Sequence, residues 1–521
     1  MASERAARLV ALLLFCVLTL CACAPASRPA AEKRPDPITL SIAFWNAADE
    51  MGGDAFQRFV EEKFNVRFQP VNVSYDNYSQ WLQQMAAGDE LPDIIASDIM
   101  GTSAYESWIL QGKIRALPKE LSAYPRLEAY LEQPYNERFK RDNGAFYAIP
   151  RLTYSSEELW ALDRCIMVRK DWLEALGLGV PQSWDAFADM LYAFVHDDPD
   201  GNGVSDTKGL TATHANTLEA VYLSLFPELS NTERGWLYEN GRWMPVYCSE
   251  RVAPALEKMR ELYQRGLLDP EFAFVSTREA ASAFANGEFG AICGQYYLIV
   301  NMLSDLGMQD KAFEMVEILP SWPAPDGERY RFTTSLHWSE SYFGANVDDE
   351  KMDVILSLYD WLLSDEFWTM YSYGLEGVDW TDKDGAIAEL RHISPTREYA
   401  SMPTFTHLVE WHQDEQYEDN EFNALAYGPR TLRYARERLD WYRENTVRVN
   451  YNYEIVFMST PAKNSLVYNS VAQQEMAKVI MGNESALTAW PKALRQLEQS
   501  TTLLAAIDEV TREANRLGIC P

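Results

Sequence analysis

The best-defined chemical motif in the sequence is the segment 198–206, DPDGNGVSD. Asp198, Asp200, Asn202 and Asp206 stand at loop positions one, three, five and nine, and Val204 at position seven offers its backbone carbonyl. Gly203 at position six permits a sharp turn. Hard oxygen donors at this spacing suit a hard divalent ion, and the pattern is that of a calcium loop. One position departs from it. Gly209 stands at position twelve, where a bidentate Glu would close the coordination, and Thr207 stands at position ten. The last ligand would then come from water or from another segment. Asp, Asn and Gly also favour turns that hold no ion, which is the competing reading. Calcium here would be structural, pinning a loop at a helix end without redox or Lewis-acid duty. Asp197 would add charge outside the coordinating set.

Catalytic constellations are scarce. The chain has no GxSxG elbow, no GxxxxGK[ST] phosphate loop and no HExxH zinc helix. His407 and His412 lie five apart, so on a helix they point about 140° apart and cannot share a metal. Solvated or capping roles are expected for them. With 77 Asp and Glu, proximity of two acids in sequence says almost nothing about a glycosidase pair. Glu340 and Glu376 are candidate cleft acids, but no spacing sets their separation.

Aromatic residues are the better clue, with 16 Trp and 28 Tyr. A sugar ring presents an apolar C–H face and a rim of hydroxyls. A flat side chain buries the face while acids, amides and guanidinium groups bond the rim, the usual division of labour in a pocket. Trp45, Trp160, Trp322, Trp338 and Trp380 fall near expected strand ends or crossings, and Trp338 is followed by Ser339-Glu340-Ser341-Tyr342. Trp172, Trp184, Trp361 and Trp368 fall on apolar helix faces and read as core. Arg169 follows a short apolar strand, where it either bonds a ligand hydroxyl or pairs with one of the many acids.

The elements that must position these groups are α/β. Residues 38–45, ITLSIAFW, read as a buried strand, and 54–64 carries Phe56, Phe59, Val60 and Phe64 at helical spacing. A second short strand follows at 66–69, a helix at 78–87 and a third strand at 91–96. This alternation implies crossover units and a largely parallel sheet. Ligands of such sheets bind past the carboxyl ends of strands, where Trp45-Asn46 and Ser97-Asp98 stand. The plainer alternative has Trp45 covering the sheet edge and Asp98 capping a helix.

The chain has 521 residues, 47% of them hydrophobic and 24% charged, the balance of a folded protein of several domains. Its net charge of −31 argues against nucleic acid as a partner. Arg5, Arg8 and the apolar run 9–20 read as an export signal too short to span a bilayer. Leu20-Cys21-Ala22-Cys23 resembles a bacterial lipobox, with cleavage before Cys23 and lipid on its thiol, although an ordinary signal peptide cut near Ala22 or Ala24 fits as well. Residues 24–37 read as an Ala/Pro-rich tether. Cys165, Cys248, Cys293 and Cys520 are far apart, with no CxxC spacing. Disulfides and buried free thiols are equally open.

Several segments, in order, resemble family 1 extracellular solute-binding proteins: 143–150 (NGAFYAIP), 166–187 (IMVRKDWLEALGLGVPQSWDAF), 198–203 (DPDGNG), 284–291 (FANGEFGA) and 373–380 (YGLEGVDW). The resemblance runs from about residue 38 to 380 and fades after about 400. It implies a two-lobed periplasmic-binding-protein-like fold with a hinge and an interlobe cleft. The expected divisions are a signal at 1–22, a lipid-anchored linker at 23–37, one lobe from 38–150 plus about 335–398, and another from 151–334 plus about 399–521. It also implies capture of a sugar or oligosaccharide and delivery to ABC permease subunits, at the extracellular face of a bacterial membrane. On that view Trp45, Asp98, Trp160, Arg169, Trp322, Trp338, Glu340 and Glu376 are the candidate ligand contacts. The alternatives are an extracellular carbohydrate-active hydrolase or lyase, a sensing subunit not used for transport, and a non-sugar solute such as a peptide.

Overall fold

The computed structural model describes residues 36–519, apart from 46, 74–77, 101, 137–138, 142, 154–156, 213–220, 231–234, 309–310, 334–335, 384–385, 392, 394, 410–427, 450–451 and 467–469. Strand β1 (Ile38–Trp45) is the expected apolar run, with Leu40, Ile42 and Phe44 buried. The helix Ala55–Phe64 starts at Asp54, whose carboxylate accepts from the Gln57 amide at 2.8 Å, a cap worth about 1 kcal/mol. Asn65 ends that helix in the left-handed region, φ 51°, and the chain returns as β2 (Val66–Val73). β2 lies parallel to β1 along its whole length, and β3 (Ile94–Ser97) is parallel on β1's other side. β4 (Ile149–Leu152) is the last strand before the chain leaves this sheet.

A second sheet is built from β5 (Cys165–Arg169), β6 (Lys208–Ala212), β9 (Phe289–Gly294) and β10 (Val316–Ile318), in the order β10-β5-β9-β6. The hairpin β7 (Trp236–Glu239) and β8 (Arg242–Pro245) stands apart from it. β6 and β9 are parallel, and β5 runs against both β9 and β10. The chain then forms the short strand β11 (Tyr330–Arg331) and re-enters the first sheet as β12 (His337–Phe343). A hairpin, β13 (Trp380–Lys383) and β14 (Ala386–Glu389), comes later, and β15 (Val447–Arg448) pairs with β11.

The first sheet, in the order β2-β1-β3-β12-β4, is parallel as expected except at β12, which runs against β3 and β4. That reversal brings the amino end of β12 to the carboxyl ends of its neighbours, so Trp45, Ser97, Leu152 and His337 share one edge. In the second sheet the corresponding edge carries Gly294, Ala212 and the amino end of β5 at Cys165. Each sheet has its own apolar core. The first gathers Phe44, Phe56, Ile94, Phe343 and Tyr359, the second Trp172, Phe187, Phe194, Trp490 and Ile507. Met402, Phe405, Leu408 and Val409 pack in the first core, which therefore reaches beyond residue 398. The Asp54 carboxylate fastens them, accepting from the amide and hydroxyl of Ser401 at 2.8 Å each. The helix Pro429–Asn445 lies on the second sheet's other face, through Tyr434, Leu439 and Tyr442. Among the described residues no helix is long and apolar enough to cross a membrane.

Candidate functional site

Two of the expected aromatic contacts meet at the first-sheet edge. The rings of Trp45 and Trp338 are 5.2 Å apart, with Tyr78 5.6 Å from Trp45. Trp45 is buried and Trp338 is partly exposed. The register of β12 against β4 shifts between His337 and Glu340, and Ser339 takes the left-handed value φ 69°. Such a bulge re-aims the neighbouring side chain. Below the rings lies Arg151, fully buried, with its guanidinium carbon 4.7 Å from the Trp338 ring and 5.8 Å from that of Trp45. Sequence reasoning missed this residue. Its signal was a charged side chain inside the apolar run AIPRL, since such groups are seldom buried without a partner.

Glu340 is buried opposite Ser97 and accepts a hydrogen bond from the Tyr342 hydroxyl. Burial first, and Glu340 second, drives the Tyr342 hydroxyl pKa far up, with Asp98 adding to it. Asp98 lies just past β3 and is partly exposed, so the two acids flank one tyrosine near the same edge. The Ser97 and Tyr105 hydroxyls are buried there without a hydrogen-bond partner among the described residues. Trp45 and Trp338 are therefore brought together, as are Asp98 and Glu340 around Tyr342, at the same end of the first sheet.

The other candidates are not. Arg169 ends β5 opposite Val316, at the far end of the second sheet from Cys165, and its Nε donates to Asp171 at 2.8 Å. β5 runs antiparallel to β9, so this ion pair lies at the opposite end of the sheet from Gly294 and Ala212. Trp322 is also core rather than contact. It is buried 5.5 Å from Phe187 and 6.0 Å from Trp184, and its Nε1 donates to the Pro181 carbonyl at 2.9 Å. The cavity beside it, lined by Arg164, Ser321, Arg331 and Phe332, leaves about 30 Å³ to the centres of water molecules, room for water but not for a sugar ring. Trp160 packs edge-on to Phe332 at 6.1 Å, in a cluster with Leu223 and Val449 where the chain passes between the sheets. Glu376 is exposed in the segment that the buried Asp379 pins, through the Leu375 amide at 2.8 Å and Arg391 Nε at 2.8 Å. His407 is partly exposed rather than freely solvated: its ring stacks on Phe44 at 4.7 Å, and desolvation, then Arg151, holds its pKa well below the usual range. His412 lies outside the described residues.

The 198–206 loop lies between the helix Trp184–His196 and β6. Asp198, Gly201 and Gly203 have φ of 46°, 68° and 77°, and Gly203 N–H donates to Asp198 Oδ2 at 3.0 Å. The Asn202 amide lies 2.8 Å from Asp200 and 3.3 Å from Asp206. Asp198 Oδ1 is buried and has no hydrogen-bond partner among the described residues. These donors suit calcium in type and spacing, and the unspent carboxylate oxygen is where an ion would bond. No three acid, His or Cys groups among the described residues converge into a finished metal cage. Position twelve is closed for a steric reason: a Cβ on Gly209 would lie 2.3 Å from the Leu267 carbonyl oxygen.

Cys165, Cys248 and Cys293 are free thiols, and burial pushes Cys293 up to about 12. Cys293 pairs in register with Ile166, so it faces away from Cys165 on the neighbouring strand. Cys520 and Cys23 lie outside the described residues.

Residues 47–367 match the family described as bacterial extracellular solute-binding protein. The chain is 26% identical to lipoprotein LipO of Bacillus subtilis (strain 168) over 279 residues, 52% of this chain and 54% of that one. It is 24% identical to the polygalacturonan/rhamnogalacturonan-binding protein YtcQ of the same organism over 330 residues, 62% of each. The matches thus span between about half and two thirds of these relatives. The crystal structure of alginate-binding protein AlgQ2 without calcium ion superposes with a TM-score of 0.66 at 16% identity, covering 92% of this chain and 98% of that one. That likeness gives the fold, two lobes with one sheet in each. With more than half of its length matched, the chain belongs to the bacterial extracellular solute-binding protein family.

Proposed function

We propose that the protein captures a sugar or oligosaccharide between its lobes and delivers it to the permease subunits of an ABC importer, with no covalent chemistry of its own. The carrying observation is the first-sheet edge, which carries a partly exposed indole, Trp338, against Trp45 and, around Tyr342, two acids, Asp98 and Glu340. The indole covers the apolar face of a sugar ring and the carboxylates accept from its hydroxyls. Closure is a hinge motion about the crossing segments, where β11 pairs with β15 and Trp160 packs on Phe332. The names of YtcQ and AlgQ2 point to acidic polysaccharides, so uronates stand beside neutral sugars as candidates.

Two further parts of the reading are the anchor and the ion. Cys23 carries the lipid that holds the protein at the outer face of the membrane, with 24–37 as tether. Asp198, Asp200, Asn202, Asp206 and the Val204 carbonyl would hold calcium, which supplies charge neutralisation to a loop of three carboxylates.

Thermal unfolding of the chain from Ala24 onward, against neutral and uronic oligosaccharides, tests the reading. A sugar that binds only the folded state at a hundred times its Kd adds about 2.7 kcal/mol of stability. A raised midpoint with the sugar recovered intact supports capture, and recovery of cleaved sugar points to an enzyme. No shift with any sugar ends the carbohydrate assignment. A chelator is expected to lower the midpoint, and an unchanged midpoint removes calcium.

A further inference from the structure

The ligand reading leaves a fully buried cation at the same edge, Arg151, without a role. Arg151 is the third residue of β4 and lies beneath the indole pair. It grips Trp338 twice: its guanidinium faces the ring, and its Nε donates to the Trp338 backbone carbonyl at 2.9 Å. The backbone held in this way is unusual. The next residue, Ser339, is buried in the left-handed region inside the bulge of β12. A residue without glycine's freedom persists there only when its surroundings over-determine it. Arg151 also reaches 6.0 Å from the Phe44 ring, on which His407 stacks. One planar cation thus contacts three rings and one strained turn.

We propose that Arg151 is a positioning residue, which fixes the plane of Trp338 through ring and carbonyl together and so presents that indole at the cleft edge. A guanidinium suits the task because it stacks on aromatic faces while its fork of N–H groups stays free to bond in its own plane. Lysine, a point charge on a flexible stem, keeps the attraction but not the fork. The proposal rests on the reading of Trp338 as a ligand contact, yet its first test needs no ligand.

The test uses R151M, R151K and W338F, and the R151M/W338F double variant, in the chain from Ala24 onward. Near-ultraviolet circular dichroism and acrylamide quenching report the setting of the indoles. R151M is expected to change the spectrum and to raise quenching, R151K to restore part of both, and the R151M change to vanish in the W338F background. Titration with kestose and with trigalacturonate follows. Whichever binds is expected to bind R151M at least tenfold more weakly, with R151M adding little in the W338F background. An unchanged R151M spectrum, or the same change with and without Trp338, overturns the proposal. If R151M does not fold, R151K decides: a change that depends on Trp338 supports the role, and a wild-type spectrum overturns it. If neither sugar binds, the carbohydrate reading suffers while the spectra still judge Arg151.

Discussion

Two tryptophan pairs differ in the folded protein, although one member of each, Trp338 and Trp322, reads alike in the sequence. Trp45 and Trp338 meet at a sheet edge, over a buried guanidinium and beside a bulge. Trp184 and Trp322 meet in the second core against Phe187, with the Trp322 N–H satisfied by the Pro181 carbonyl. In the core pair the rings are buried against one another and the Trp322 N–H is met locally, so their business is packing. At the edge, a cation and a strained backbone keep a large apolar ring partly exposed, which packing alone would not favour. Two arginines repeat the lesson. Arg151 stands at the edge of its sheet proposed to meet the ligand, and Arg169 stands at the far end of the other, paired with Asp171. Position near a strand end means little until the direction of the strand is known.

The contrast can be broken by substitution. The largest effect is expected from W322A, which should cost about 3–5 kcal/mol in denaturant unfolding while leaving sugar affinity within twofold. A large loss of affinity with unchanged stability would reverse the assignment. W338A should weaken sugar binding at least tenfold, about 1.4 kcal/mol by calorimetry, with a smaller stability loss than W322A. Equal affinities would return Trp338 to the core. His407 sharpens the edge side through pH. Its folded pKa lies below its unfolded value, so below about pH 6.5 the unfolded state binds the extra proton. Stability should therefore fall as pH drops from there, by about 1.4 kcal/mol per unit for this group, until the folded pKa is reached. Unfolding curves of H407N against wild type should differ by that slope, and parallel curves would refute it. The smallest effect belongs to D171N. Removing the partner of Arg169 from a partly exposed pair should cost no more than about 1 kcal/mol and leave sugar affinity unchanged.

Much of the scaffold was legible in the sequence, for reasons that are local. The apolar run 38–45 became β1 with the same ends, and the helical spacing at 54–64 became a helix capped by Asp54. Trp172, Trp184 and Trp361, read from apolar helix faces, are buried. The reversal of β12 was not legible, because it joins residues some 240 positions apart, Glu340 and Ser97, through a pairing that no nearby residue announces. The burial of Arg151 was hidden for the same reason: its partners Trp45 and Trp338 lie on two other strands. For Arg169 the sequence left both roles open, because its immediate surroundings suit either, and the pairing with Asp171 and the antiparallel course of β5 show only in the fold.

The closed position at Gly209 reaches further than the loop itself. Leu210 N–H donates to the Leu267 carbonyl at 2.8 Å, the same oxygen that bars a side chain at 209. A single substitution that supplied the missing carboxylate would have to push β6 off its neighbour before it could add a ligand. The loop and the strand are therefore yoked as heritable traits: a lineage could raise the ion affinity through position 209 only by first rebuilding a sheet edge, and gradual selection along that route is blocked.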